Sequence, residues 1–206
     1  MRRQPSYGRH LVKVLRHTAL ERGIEIGDDG FVQLESLLQL NELRGCTVEH
    51  VEDIVRNCNK QRLMLITRES TSYIRANQGH TINCINSSKL LTKVKDFKII
   101  PVCVHGTNLE AWKVISKSGL SKMKRQHIHM APGLPGDNGV VSGPGWRALK
   151  SDSVIVYVNT KKAMEAGIPF YISANKVILS PGNEKGFIES RYFENVCDVH
   201  GNDLLS

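Results

Sequence analysis

Three basic side chains at alternate positions, Arg125, His127 and His129, form the densest chemical signal in the chain. Read as a short strand, 124–131 turns these three to one face and Gln126, Ile128 and Met130 to the other, because strand side chains alternate. One guanidinium and two imidazoles on one edge can hold a phosphate or a nucleotide. A solvated polar face is the competing reading of this stretch alone. Three further groups favour function: Val102-Cys103-Val104-His105-Gly106-Thr107, where an apolar run ends in a His and a Gly-Thr turn that opens a helix; Val14-Leu15-Arg16-His17; and Asn59-Lys60-Gln61-Arg62. Cys103-x-His105 and His127-x-His129 could each offer two metal ligands. No Cys-x-x-Cys pair anchors such a site, so anion binding ranks above zinc and no metal site is assigned. Gly-x-Gly-x-x-Gly and Gly-Lys-Ser/Thr are both missing, and no Ser or Cys nucleophile has an evident base.

The elements that must position these residues fall into two groups. Near the N-terminus, Tyr7, Leu11, Val14 and Leu15 have helical spacing, with Gly23 as the stop. A short extended piece and a helix follow over 31–40, with Leu34, Leu37 and Leu38 inward. Thr47 caps a helix to about residue 57 along Val48, Val51, Ile54 and Val55. Strands over 62–67 and 72–76 complete a winged-helix pattern, a common nucleic-acid reader. The 83–98 stretch, with Asn86-Ser87-Ser88 and three lysines, reads as a linker. Beyond it we expect a strand at 99–104, a helix at 109–118 stopped by Gly119, a strand at 127–131 and a long loop over 132–147. A strand at 153–158, a helix capped by Thr160, and strands near 170–173 and 177–180 follow. The loop holds Pro132, Gly133, Pro135, Gly136, Gly139, Gly143, Pro144 and Gly145. Loops of that length in a compact domain are usually functional or mobile. The tail after Gly182 carries no readable pattern. The expected class is α+β, with a winged-helix lobe over 1–85, a linker over 86–98 and a second lobe over 99–206.

Composition narrows the partner. A formal charge of +8 favours an anionic one, nucleic acid or a phosphate-rich ligand. The five cysteines are scattered, which points to reduced thiols in a reducing compartment. No signal peptide and no apolar run near 18 residues is evident, so the expected place is intracellular, cytoplasmic or nuclear, off the membrane.

The ordered set Leu15-Arg16-His17, Lys60-Gln61-Arg62, 74–80, His105-Gly106-Thr107, Arg125-x-His127-Ile128-His129 and Ser173-Ala174-Asn175-x-Val177-Ile178-Leu179 resembles the RNA (tRNA) 2′-phosphotransferases. The likeness runs over roughly 7 to 193. It implies that the second lobe is an ADP-ribosyltransferase-like mixed β lobe that binds NAD without a Rossmann motif. It also implies two chemical steps on an internal RNA 2′-phosphate, as at a tRNA splice junction. The phosphate attacks the nicotinamide ribose carbon of NAD, which is consumed. The neighbouring ribose hydroxyl then attacks phosphorus, leaving a 2′-hydroxyl and ADP-ribose 1″,2″-cyclic phosphate.

The family's catalytic set maps by this resemblance onto Arg16, His17, Arg62 and Arg125. NAD contacts map onto His105, Gly106, Thr107, Gly119, Leu120, His127, His129, Ala131, Gly143, Arg147, Ser173 and Asn175, and RNA contacts onto Arg9, Lys13, Arg75, Gln78 and His80. A monomer is expected. Departures from the pattern are Tyr7-Gly8-Arg9 for Leu-Ser-Lys, Cys58-Asn59 for Asn-Asp before Lys60-Gln61-Arg62, and Gly143-Pro144-Gly145-Trp146-Arg147 for Gly-Met-Arg. An ADP-ribosyltransferase acting on nucleic-acid terminal phosphates, or a non-catalytic RNA-binding module, are the alternatives.

Overall fold

A computed structural model of the chain describes residues 7–134, 137 and 150–205. It is mixed α and β, built on several small sheets, and divides into two compact units that meet in sequence at Leu90 and Leu91.

The first unit opens with helix α1 (Tyr7–Lys13), which runs into a π-helical turn over Val14–Thr18 and a 3-10 turn over Leu20–Arg22. Gly23 ends it with φ 68°, a left-handed conformation that glycine adopts without a Cβ penalty. Strand β1 (Val32–Gln33) leads directly into α2 (Leu34–Leu38), and α3 (Val48–Arg56) follows after a 3-10 turn. The Thr47 side chain accepts the His50 amide while the His50 ring accepts the Thr47 amide, a reciprocal cap that fixes the start of α3. Strands β2 (Leu63–Arg68) and β3 (Thr71–Ala76) form a hairpin, and the sheet order is β1-β3-β2.

The hairpin turn, Glu69-Ser70, has φ of 46° and 68°, the left-handed pair that matches the twist of two-residue hairpins. Leu11, Leu15, Leu34, Leu37, Leu43, Val51, Leu63 and Ile74 make the core. The stripe on α3 is narrower than its spacing implies, because Val48, at the first helical position, stays exposed. Opposite the core face, Phe31 lies under the guanidiniums of both Arg68 and Arg75, at 4.8 and 4.6 Å.

The second unit carries a four-stranded sheet, β4-β9-β10-β7, a three-stranded sheet, β12-β8-β5, and a two-stranded pair. Its strands are β4 (Leu91–Lys93), β5 (Val104–Asn108), β6 (Leu120–Ser121), β7 (Ile128–Met130), β8 (Ser153–Val158), β9 (Tyr171–Ser173), β10 (Ile178–Ser180), β11 (Phe187–Ile188) and β12 (Phe193–Asp198). Helices α4 (Leu109–Ser118) and α5 (Thr160–Glu165) follow β5 and β8. Val104 bridges Ala131, so β5 of one sheet touches the chain just past β7 of the other. Central β8, Ser-Val-Ile-Val-Tyr-Val, supplies three residues to the main apolar cluster, with Met130, Phe170, Ile178 and Val196.

Four expectations change here. The strand placed at 99–104 runs instead over Val104–Asn108. Asp96 caps a 3-10 turn at Phe97–Ile99, Pro101 has no amide for a ladder, and β8 then pairs with the polar stretch His105–Asn108. The N-cap of α5 is Asn159, whose Oδ1 accepts the Lys162 amide, so Thr160 is the first helical residue and not the cap. Inside 86–98, read as a linker, Leu91–Lys93 pairs with Tyr171–Ser173. The unreadable tail contains β12, a six-residue strand on β8. No helix among the described residues is long and apolar enough to cross a membrane.

Candidate active site

In the first unit, Arg16 and His17 lie on the π-helical turn, where the backbone is wound wider than in an α-helix. Thr81 closes that turn from outside. Its amide donates to the Arg16 carbonyl at 2.9 Å, its hydroxyl lies 3.4 Å from the same oxygen, and the hydroxyl is 3.0 Å from His17 Nδ1. Arg62 follows Gln61, a non-glycine residue at φ 41°. Asn77 holds this strained pair: its amide donates to the Arg62 carbonyl at 2.9 Å and its side-chain NH₂ to the Gln61 carbonyl at 2.6 Å. The Asn77 Oδ1 is buried with no hydrogen-bond partner among the described residues. One short loop, 77–81, therefore anchors Arg62 at one end and Arg16 with His17 at the other, and Gly79 at φ 85° lets it turn between them.

Cys58 stands where the family pattern has an Asn. Burial alone would raise its thiol. Hydrogen bonds from the backbone amides of Arg62 and Lys60, together with the Arg62 guanidinium, outweigh that and leave the thiol below its ordinary value. Arg62 Nη1 lies 3.9 Å from its sulfur. The sulfur thus accepts the turn amides that an Asx side chain would accept.

The residues mapped to RNA are placed unevenly. Arg9 and Lys13 sit on exposed positions of α1, one turn apart, and Gln78 is half-buried in the loop. His80 is buried, and Arg75 packs on Phe31 while donating to the Asp29 carbonyl at 3.1 Å. A cleft of about 420 Å³ between Glu25 and Tyr73 lies beside this packing; it holds the Asp29–Arg68 ion pair and none of the catalytic candidates.

In the second unit, the strand expected over 124–131 shortens to β7. Arg125 and His127 precede it in a turn that starts at Lys122, whose carbonyl accepts the Arg125 amide at 3.0 Å, with Met123 at φ 53°. Alternation therefore fixes Ile128 to Met130 only, and it places His129 opposite its two apolar neighbours. His129 pairs in register with Leu179, and Leu179 with Tyr171; Met130 pairs with Ile178, and Ile178 with Ile172, on the core face. His127 reaches the His129 face by packing its ring edge-on to Tyr171, centroids 5.9 Å apart.

Burial biases both flanking imidazoles toward the neutral form. Burial, helped by nearby Lys122, brings His127 down to about 4. Burial lowers His105 as well; a bond to the His129 carbonyl pulls it back and the Arg125 guanidinium pushes it down further. His105 Nδ1 is 2.8 Å from that carbonyl, which can only accept, so the proton sits on Nδ1 and Nε2 keeps its lone pair.

His105, Gly106 and Thr107 line a cleft of about 360 Å³ with Asn108, Lys150, Asp152 and Ser153. Arg125 is exposed and close enough to His105 to act on its charge state. The remaining NAD candidates have structural work. Ser173 Oγ donates to Asn175 Oδ1 at 2.7 Å and accepts the Val177 amide at 3.0 Å, closing the β9–β10 hairpin. Leu120 is core. Gly119 packs so tightly that a Cβ would overlap the Ile188 carbonyl oxygen and lie 2.7 Å from Glu189 Cα. Ala131 bridges Val104. Gly143 and Arg147 lie outside the described residues. Sequence reasoning gave no role to Thr81 or Lys150, and it took Asn77 only as one of the polar side chains of 74–80 that can hydrogen-bond.

Residues 2–182 match the family described as RNA 2′-phosphotransferase, Tpt1 / KptA family. The chain belongs to this family. It is 43% identical over 199 residues to a putative tRNA 2′-phosphotransferase of Schizosaccharomyces pombe, across 97% of this chain and 53% of that protein. The chain thus spans about half the length of that relative. Human tRNA 2′-phosphotransferase 1 is 41% identical over 188 residues, covering 90% of this chain and 72% of the human protein. The Saccharomyces cerevisiae tRNA 2′-phosphotransferase is 31% identical over 186 residues, covering 87% and 79%. Membership in the RNA 2′-phosphotransferase family makes a transferase the frame for Arg16, His17, Arg62 and Arg125.

Proposed function

We propose that the protein is an NAD-dependent RNA 2′-phosphotransferase that removes an internal 2′-phosphate, as at a tRNA splice junction. In this reading the first unit is a winged-helix RNA lobe. The second is an ADP-ribosyltransferase-like lobe that holds NAD. The observation that carries it is the loop 77–81, which anchors Arg62 together with the Arg16-His17 pair. Guanidiniums offer planar forks of donors that stay charged, the donor type a phosphate dianion needs. Stabilising charge on a transferring phosphoryl group is the main service a protein gives such a step.

The second unit supports the NAD half by its donor set. His105, its Nδ1 turned to the His129 carbonyl, lines a cleft of about 360 Å³, and Gly106 leaves backbone open to close approach. Lys150 lines the same cleft and supplies positive charge for a pyrophosphate, while burial lowers His105 and His127 toward neutral rings that can hydrogen-bond to sugar or amide groups. Bound NAD would supply an electrophilic ribose carbon with nicotinamide as leaving group. A phosphate oxygen of the RNA bonds to that carbon as the carbon–nitrogen bond breaks. The adjacent ribose hydroxyl then bonds to phosphorus, the bond to the RNA 2′-oxygen breaks, and that oxygen takes a proton. His17, the one imidazole in the catalytic set, suits the proton traffic of the second step.

The test is product analysis with a short RNA bearing one internal 2′-phosphate. We expect equimolar nicotinamide, ADP-ribose 1″,2″-cyclic phosphate and 2′-hydroxyl RNA. A stable ADP-ribosylated strand end would replace this reading with a terminal-phosphate ADP-ribosyltransferase. Unchanged NAD would leave an RNA-binding module.

A further inference from the structure

We infer that Thr81 is a positioning residue for His17, holding its ring as the Nδ1–H tautomer so that Nε2 presents the lone pair; the functional consequence rests on the phosphotransferase reading. The π-helical turn Val14–Thr18 displaces its carbonyls from α-helical register, and the Arg16 oxygen is met from outside by Thr81. Both contacts come from one residue 65 positions away, so the turn and the loop are locked together. A threonine hydroxyl has one hydrogen and two lone pairs. The Thr81 hydroxyl is within reach of the Arg16 carbonyl, which can only accept, and of His17 Nδ1 at 3.0 Å. Donating to the carbonyl, the hydroxyl must accept from the imidazole, and the ring proton is then fixed on Nδ1. The whole contact is part-buried, where competition from water is weak.

The same five-residue loop begins at Asn77, which fixes Gln61 and Arg62. Thr81 therefore relates the imidazole to the backbone that carries Arg62, and its loss should disturb chemistry more than RNA binding. An imidazole held in one tautomer can act as acceptor for the ribose hydroxyl proton without first rotating or exchanging its own proton.

The experiment pairs a spectroscopic and a kinetic readout on the full chain. Long-range proton–nitrogen spectra of the wild type should show His17 with a protonated Nδ1 and an unprotonated Nε2. Thr81→Val, which keeps the shape and deletes the hydroxyl, should give a tautomer mixture; Thr81→Ser should restore the wild-type pattern. Single-turnover rates should fall about 10- to 100-fold in Thr81→Val with the RNA KM within about twofold, and recover in Thr81→Ser. A wild-type His17 protonated on Nε2, or a Thr81→Val protein with unchanged tautomer and rate, would overturn the inference. A rate loss that Thr81→Ser fails to rescue would also overturn it. If the wild type transfers no phosphate at all, the proposed function fails, and the spectra still decide whether Thr81 sets the tautomer.

Discussion

Acid should weaken this fold through His127. Its imidazole is pressed against Tyr171 and brought down to about 4 by burial, while in the unfolded chain it titrates near an imidazole's ordinary 6.5. Between those two values the unfolded state binds more protons than the folded state, so stability rises with pH across that window. Each pKa unit is worth roughly 1.4 kcal/mol, so the full drop below pH 4 comes to about 3 kcal/mol. At pH 5 most of it is already expressed, about 2 kcal/mol relative to pH 7.5. The perturbation is His127→Phe, which keeps a ring edge on Tyr171 and removes the titration. Urea unfolding of both proteins at pH 5 and 7.5 should show the wild type losing about 2 kcal/mol more than the variant on acidification. The histidine proton resonances of the wild type should place the His127 midpoint near 4. A midpoint near 6.5 with equal acid losses in the two proteins would refute the reasoning. The functional corollary is that NAD affinity should carry no His127 titration between pH 5.5 and 8, since the basic side chain lining the proposed NAD cleft is Lys150.

Other consequences are equally concrete. His105→Ala should weaken NAD binding about tenfold in calorimetry, one lost hydrogen bond of roughly 1 kcal/mol plus the freed His129 carbonyl, with RNA affinity unchanged; equal loss of both ligands would end the division of labour between the units. Gly119→Ala should cost about 3 kcal/mol in denaturant unfolding, because φ 87° is unfavourable for a Cβ and the Ile188–Glu189 backbone cannot yield to it; an unchanged midpoint would mean that the α4 C-terminus is not held against β11. Arg62→Ala or Arg125→Ala should accumulate RNA carrying 2′-phospho-ADP-ribose as a slower gel band in single turnover. The second transition state puts more charge on the phosphorus oxygens than the first. Complete loss of both steps in each variant would assign the arginines to substrate placement alone.

The candidate side chains could be named from the sequence, and the groups that hold them could not. Arg16, His17, Arg62 and Arg125 come as a set from the family resemblance, and local pattern found α4, β8 and the 63–76 hairpin within a residue or so. Elements set by distant partners were shifted or missed. His105–Asn108 became a strand because β8 offered its ladder, overriding a polar composition that local pattern reads as a turn. In β12 a bulge between Phe193 and Asn195 leaves Phe193 and Val196 as the buried pair, so the period of two that marks a strand never appears.

The anchors of the candidate residues hide for the same reason. Thr81 and Asn77 act on backbone carbonyls of Arg16 and Gln61, residues 65 and 16 positions away, and a carbonyl has no residue type to betray the contact. Cys58 is the instructive intermediate. It departs from the family's Asn, yet its sulfur accepts the amides of Lys60 and Arg62 and lies against the Arg62 guanidinium. This turn uses an acceptor at one place, and here a sulfur with a lowered thiol pKa supplies it. Divergence in this chain is therefore best judged by the contact that each substitution keeps, and by that measure the backbone around Arg16, His17 and Arg62 stays anchored by Thr81, Asn77 and Cys58.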